Sequence, residues 1–78
     1  MNMEQYENRF GYYREKTTEE LEETIIELEN DRRAWESIFE DKKSISEQKT
    51  DAWNEMKYID DQLLYLDVLM KERKGNTR

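Results

Sequence analysis

Residues 39–52 read Phe39-Glu40-Asp41-Lys42-Lys43-Ser44-Ile45-Ser46-Glu47-Gln48-Lys49-Thr50-Asp51-Ala52. Between Phe39 and Ala52 the one large apolar side chain is Ile45, and a serine stands on each side of it. Outside this stretch the apolar residues return at helical spacing. Upstream, Leu21, Ile25, Leu28, Arg32, Trp35 and Phe39 step by four, three, four, three and four. Downstream, Ala52, Met56, Ile59, Leu63, Leu66 and Met70 alternate the same two steps. Each series is a heptad seam, one continuous stripe on an α-helix.

The upstream stripe does not run into the downstream one in phase. One unbroken helix would therefore swing the stripe part of the way round. Reflected about a point between Ile45 and Ser46, the stripes coincide: Leu21 faces Met70, Ile25 Leu66, Leu28 Leu63, Arg32 Ile59, Trp35 Met56 and Phe39 Ala52. Any two heptad stripes reflect onto each other about some centre. What informs is that this centre falls inside the polar stretch. The expectation is an all-α, coiled-coil-like antiparallel helical hairpin, with arms about 40 Å long. The competing arrangement is one long helix that pairs between chains. Its best argument is the turn, which holds neither glycine nor proline.

Capping signals set the boundaries. Thr17-Thr18-Glu19-Glu20 reads as a capping box, so the first arm is expected over 18–43. Ser44-x-x-Glu47 offers a second box, and the second arm is expected over 46–73. Lys71, Arg73 and Lys74 suit the negative end of its dipole, Gly75 serves as terminator, and 74–78 form a tail. Ahead of the hairpin, Met3, Tyr6, Phe10 and Tyr13 share one helical face, which predicts a short N-terminal helix over 3–13 that Gly11 ends or kinks. The whole chain, 1–78, reads as one small helical domain.

Two places carry more apolar surface than a two-helix seam uses. Residues 63–70, Leu-Leu-Tyr-Leu-Asp-Val-Leu-Met, are apolar nearly all the way round, so this part of the second arm must be covered on more than one face. The N-terminal helix, attached just before Thr17, is placed to cover Leu64, Tyr65, Val68 or Leu69. Nearer the turn, Ile38 and Trp53 lie off the seam and are the apolar candidates for a partner-binding surface, although packing in the core would explain them too. A domain of this size buries a thin core, and dimerisation or a partner would complete it. Arg32 sits in the seam opposite Ile59. It needs a carboxylate, with Glu36 at i+4 and Asp60 across the interface as candidates; its guanidinium is expected to reach water, the alternative being a charge that sets the register of the two helices.

Charge is localised. The chain nets −7, and residues 17–43 carry ten acids against four bases. From Glu19 to Asp31 there are seven acids and no base. Glu20, Glu23, Glu27 and Asp31 fall in one strip beside the seam, where like charges repel by a few tenths of a kcal/mol per pair. Such a strip keeps a small aromatic-rich protein soluble, or presents an electronegative patch to a basic protein surface. The same field disfavours direct binding to nucleic acid or to an anionic membrane.

Chemistry is thin. Histidine and cysteine are absent and glycine occurs twice, which removes thiol and imidazole catalysis, Cys/His metal sites and glycine-rich phosphate loops. No cofactor is expected. An all-carboxylate Mg²⁺ site of the helical nucleotide pyrophosphatase kind could start from Glu19-x-x-Glu22 or Glu20-x-x-Glu23, but the second arm offers no acidic pair at the same spacing to face it. Neither a signal peptide nor a membrane-span pattern is read, so the expected compartment is the cytoplasm. The gross plan, a small acidic helical hairpin, resembles several bacterial regulatory miniproteins, among them the aspartyl-phosphate phosphatases of the sporulation phosphorelay. Their Ser-Gln-Glu-Leu-Asp run has its nearest counterpart in Asp61-Gln62-Leu63-Leu64, which lacks the serine and has a leucine where an acid belongs. No functional residue carries over.

The functional expectation is a non-enzymatic protein that binds and regulates or inhibits another protein, in the manner of phage or mobile-element blockers of nucleic-acid-handling proteins. Its candidate contacts are Glu20, Glu23, Glu27, Asp31, Ile38 and Trp53. The alternative is a self-assembling helical spacer, a homo-oligomer such as a dimer.

Overall fold

The computed structural model describes residues 3–75. In chain order these form α1 (Met3–Phe10), a 3₁₀ helix (Gly11–Glu15), α2 (Thr18–Glu40) and α3 (Ser46–Gly75), with no strand among the described residues.

α2 begins where its capping box places it. Thr17 is the N-cap; its hydroxyl oxygen accepts from the Glu20 amide at 3.1 Å, and the Glu20 carboxylate accepts from the Thr17 amide at 3.0 Å. α2 ends at Glu40, short of the expected 43. The cause is Asp41, whose backbone turns out of the helix at φ −68° and ψ 123°. Its carboxylate accepts from the Lys43 amide at 2.9 Å, and its carbonyl accepts from the Ser44 amide at 3.1 Å. A single aspartate thus makes the reversal that glycine or proline usually makes. No described residue has a positive φ.

The expected Ser44–Glu47 capping box is displaced by one residue. The first helical bond of α3 runs from the Lys49 amide to the Ile45 carbonyl at 3.1 Å, and the Gln48 side chain accepts from the Ile45 amide at 3.1 Å. This is the returning half of a capping box, with isoleucine in the cap position and no hydroxyl to complete it. Ser44 is held one position earlier, its amide bonded to Asp41 in the turn. α3 then runs two residues beyond the expected end, through Arg73 and Lys74 to Gly75. The rest of the expected tail lies outside the described residues.

α2 and α3 pack as an antiparallel hairpin: Arg32 meets Asp60 near its middle, and Arg73 meets Thr18 at its base. Leu21, Ala52, Met56, Ile59 and Leu66 of the seam are buried, and Ile25, Leu28 and Met70 are partly buried beside them. The molecule measures 51 × 24 × 16 Å.

The N-terminal segment covers the base of the hairpin, and Gly11 marks where α1 tightens into the 3₁₀ helix. Phe10 is 1% exposed, with its ring 6.0 Å from that of Tyr65 and 5.9 Å from that of Tyr58. Phe10, Tyr13, Leu21, Tyr65, Leu66 and Leu69 form one buried cluster, with Tyr6 packed at its edge. The side chain of Met3, expected on the same face, lies outside the described residues. Of the four side chains expected under this segment, Tyr65 and Leu69 are buried, whereas Leu64 and Val68 are half-buried. Each large apolar side chain taken fully from water contributes about 1.5–3 kcal/mol, so the base holds most of the stabilising burial.

Polar ties fix this segment in place. The buried Tyr13 hydroxyl donates to Gln62 Oε1 at 2.8 Å. Glu7 is gripped by Arg14 and accepts from the Tyr65 hydroxyl at 3.0 Å, which holds its carboxyl below the usual range. Arg14 also pairs with Glu72 at 3.0 Å. Arg73 donates to the Arg14 and Lys16 carbonyls at 3.1 and 2.7 Å and to the Thr18 hydroxyl at 3.1 Å. Arg73 therefore does more than complement a dipole: it fastens the link between α1 and α2 to the end of α3.

Candidate interaction surface

Rotation of 100° per residue away from the seam divides the hairpin into two flanks. On α3 the covered flank carries Tyr58, Gln62, Tyr65 and Leu69, and the N-terminal segment packs there. The opposite flank is open. Three shallow grooves lie along it: one between Phe39, Lys49 and Trp53, one between Arg32, Trp53, Lys57 and Asp60, and one between Glu22, Met70 and Arg73.

Trp53 stands between the first two grooves, 49% exposed, with Lys57 Nζ 5.1 Å from its ring centroid. Phe39 shares the first groove and is 38% exposed. The lysine over the indole is a cation–π contact of about 0.5–1 kcal/mol at such an exposed position.

Ile38 is as exposed as Phe39 but lines neither groove at Trp53. By helical rotation it falls on the other side of α2, in line with Glu20, Glu27 and Asp31, with Glu23 farther out. The six candidates therefore do not make one surface. The four acids and Ile38 share one side of α2, and Trp53 stands on the open flank.

All four acids are exposed. Glu20 is tied into the cap of α2, and the Thr17 amide holds its carboxyl below the usual range. Glu23, Glu27 and Asp31 take part in none of the ion pairs among the described residues. The strip outside the cap is therefore an uncompensated negative surface.

Arg32 finds both candidate carboxylates while still meeting water. It donates to Asp60 at 2.7 Å and to Glu36 at 2.8 Å while its side chain stays 36% exposed. The Asp60 bond raises its already high pKa further. So exposed a pair adds at most about 1 kcal/mol, but it ties one level of α2 to one level of α3. The sequence reading missed Ile26 and Ile45, which are 58% and 60% exposed. Ile26 could have been found from its rotation, about 140° from the mean direction of the seam.

Among the described residues no three carboxylates gather as a metal site. Nor is any described helix long and apolar enough to cross a membrane. Comparison with protein-family models, curated proteins and solved structures finds no match to this chain.

Proposed function

We propose that the chain is a non-enzymatic interaction protein that regulates or inhibits a partner with a basic surface, engaged through the outer side of α2. The observation behind this reading is the strip Glu23, Glu27 and Asp31, exposed and unneutralised on a helix that needs only Glu20 of the four for its own cap. Ile38 continues the same side toward the turn and gives the patch an apolar end. Complementary charge of this kind speeds association and selects partners more than it adds affinity. A basic protein surface that ordinarily holds nucleic acid fits it, as do stoichiometric blockers of the sort phages and mobile elements encode; that step is analogy. The reading places the protein in the cytoplasm.

The test is capture from host lysate with wild type, Glu23→Lys/Glu27→Lys and Trp53→Ala, followed by identification of what is retained. The expected result is a basic protein lost by the charge-reversed variant and kept by Trp53→Ala. Retention of the same proteins by all three variants would sink the acidic surface.

A second reading, self-association, is favoured by a separate observation. Phe39 and Trp53 stay 38% and 49% exposed on the open flank, which no third element covers among the described residues.

A further inference from the structure

The open flank carries charge sorted by helix. On α2 it presents Glu22, Glu29, Glu36 and Glu40, interrupted by Arg33; on α3 it presents Lys49, Lys57 and Lys71. Some of these charges are already engaged within one copy, Glu36 and Asp60 by Arg32 and Asp67 by Lys71 at 3.0 Å, which leaves Glu22, Glu29 and Glu40 on α2 and Lys49 and Lys57 on α3 outside these ion pairs. Between the two rows lie Phe39 and Trp53, with Ile26 at the margin, all exposed.

We propose that a second copy of this chain covers the open flank, the two hairpins lying side by side with their turns at the same end. This rests on the self-association reading and is independent of the acidic strip, which lies on the other side of α2. Two-fold symmetry along the hairpin axis sets α2 of one copy against α3 of its partner, so the glutamate row meets the lysine row. The levels agree. Reflection about Ile45–Ser46 brings Lys49 level with Glu40, both outside the ion pairs of their own copy, and Lys57 with Glu36 and Lys71 with Glu22, where Glu36 and Lys71 would share themselves with Arg32 and Asp67; each match is within two residues, or about 3 Å of rise. Turns at opposite ends would instead set α2 against α2 and glutamate against glutamate, which repel. A flank as long as α2 and two helices wide covers roughly 700 Å² per copy, close to the roughly 800 Å² of a standard interface. The pair forms a four-helix bundle, with Phe39 and Trp53 in its added core.

Sedimentation equilibrium at tens of micromolar tests the association, with twice the chain mass of 9.7 kDa expected. Trp53→Ala, its helicity checked by circular dichroism, is expected to raise the dissociation constant at least tenfold. Geometry is tested by mixing two single-cysteine variants, Glu22→Cys and Lys71→Cys, with a short bismaleimide; the native chain has no cysteine to interfere. A crosslinked heterodimer is expected from the mixture. A mass of 9.7 kDa throughout would overturn both the self-association and this arrangement. A dimer that gives no such crosslink, or that ignores Trp53→Ala, would overturn the arrangement and leave the self-association standing.

Discussion

The two ends of the hairpin are built from the same seam but finished differently. At the base, the N-terminal segment lies over α3, and Phe10, Tyr65 and Leu66 are all but sealed from water. Toward the turn there are only two helices, and Phe39, Trp53 and Ile38 stay between a third and a half exposed. A helix pair has one inner stripe. Large side chains off that stripe, such as Trp53 and Ile38, are buried only where a third element reaches them, and this chain supplies one for half its length; Phe39 lies on the stripe, but in the last turn of α2 and opposite the small Ala52.

The sharpest way to break this contrast is to truncate the same residue type at each end. Phe10→Ala is expected to cost about 3–5 kcal/mol, because it empties a closed site between Tyr58 and Tyr65. Phe39→Ala, measured at low protein concentration, is expected to cost about 1 kcal/mol or less, since that ring already meets water. Urea unfolding midpoints check both, and equal losses would refute the difference between the ends.

A smaller effect separates packing from polar fastening. Tyr13→Phe keeps the ring but leaves Gln62 Oε1 buried without its donor, at an expected cost of about 1–3 kcal/mol.

The smallest effect concerns where α2 begins. Thr17→Ala is expected to cost about 1 kcal/mol through loss of the cap. Acid should act on the same joint. Glu7 and Glu20 have depressed folded pKa values, so their stabilisation is complete above the ordinary glutamate pKa and is lost as pH falls through the folded values. The urea midpoint should therefore decline below about pH 4, and less steeply in Glu7→Gln.

Much of this architecture is legible in the sequence alone. The two seams, the reversal between them, the Thr17 cap and the inward face of Tyr6, Phe10 and Tyr13 all follow from spacing, because helical periodicity ties sequence interval directly to direction. The end of α2 did not follow, since Asp41 stops the helix with a side chain whose other common use is as an ordinary exposed acid. Ile45 as a cap was equally hidden, because isoleucine has no capping group and its partner Gln48 does the work from three residues away. The candidate surface was half legible. Rotation could sort the acids and Ile38 onto one side of α2, but not show which flank the N-terminal segment would cover. That choice rests on long-range contacts such as Tyr13 with Gln62 and Arg14 with Glu72, for which no local pattern exists.

The bend at residues 41–45 has one further consequence. It contains no glycine, no proline and no backbone conformation that a helix could not replace. What keeps the arms folded together is their grip on each other, more than any stiffness in the hinge. A population refolded from denaturant at high concentration is therefore expected to include molecules that open at the bend and pair each arm with a neighbour's, the bend itself staying out of helix because one straight rod would turn the two stripes out of phase.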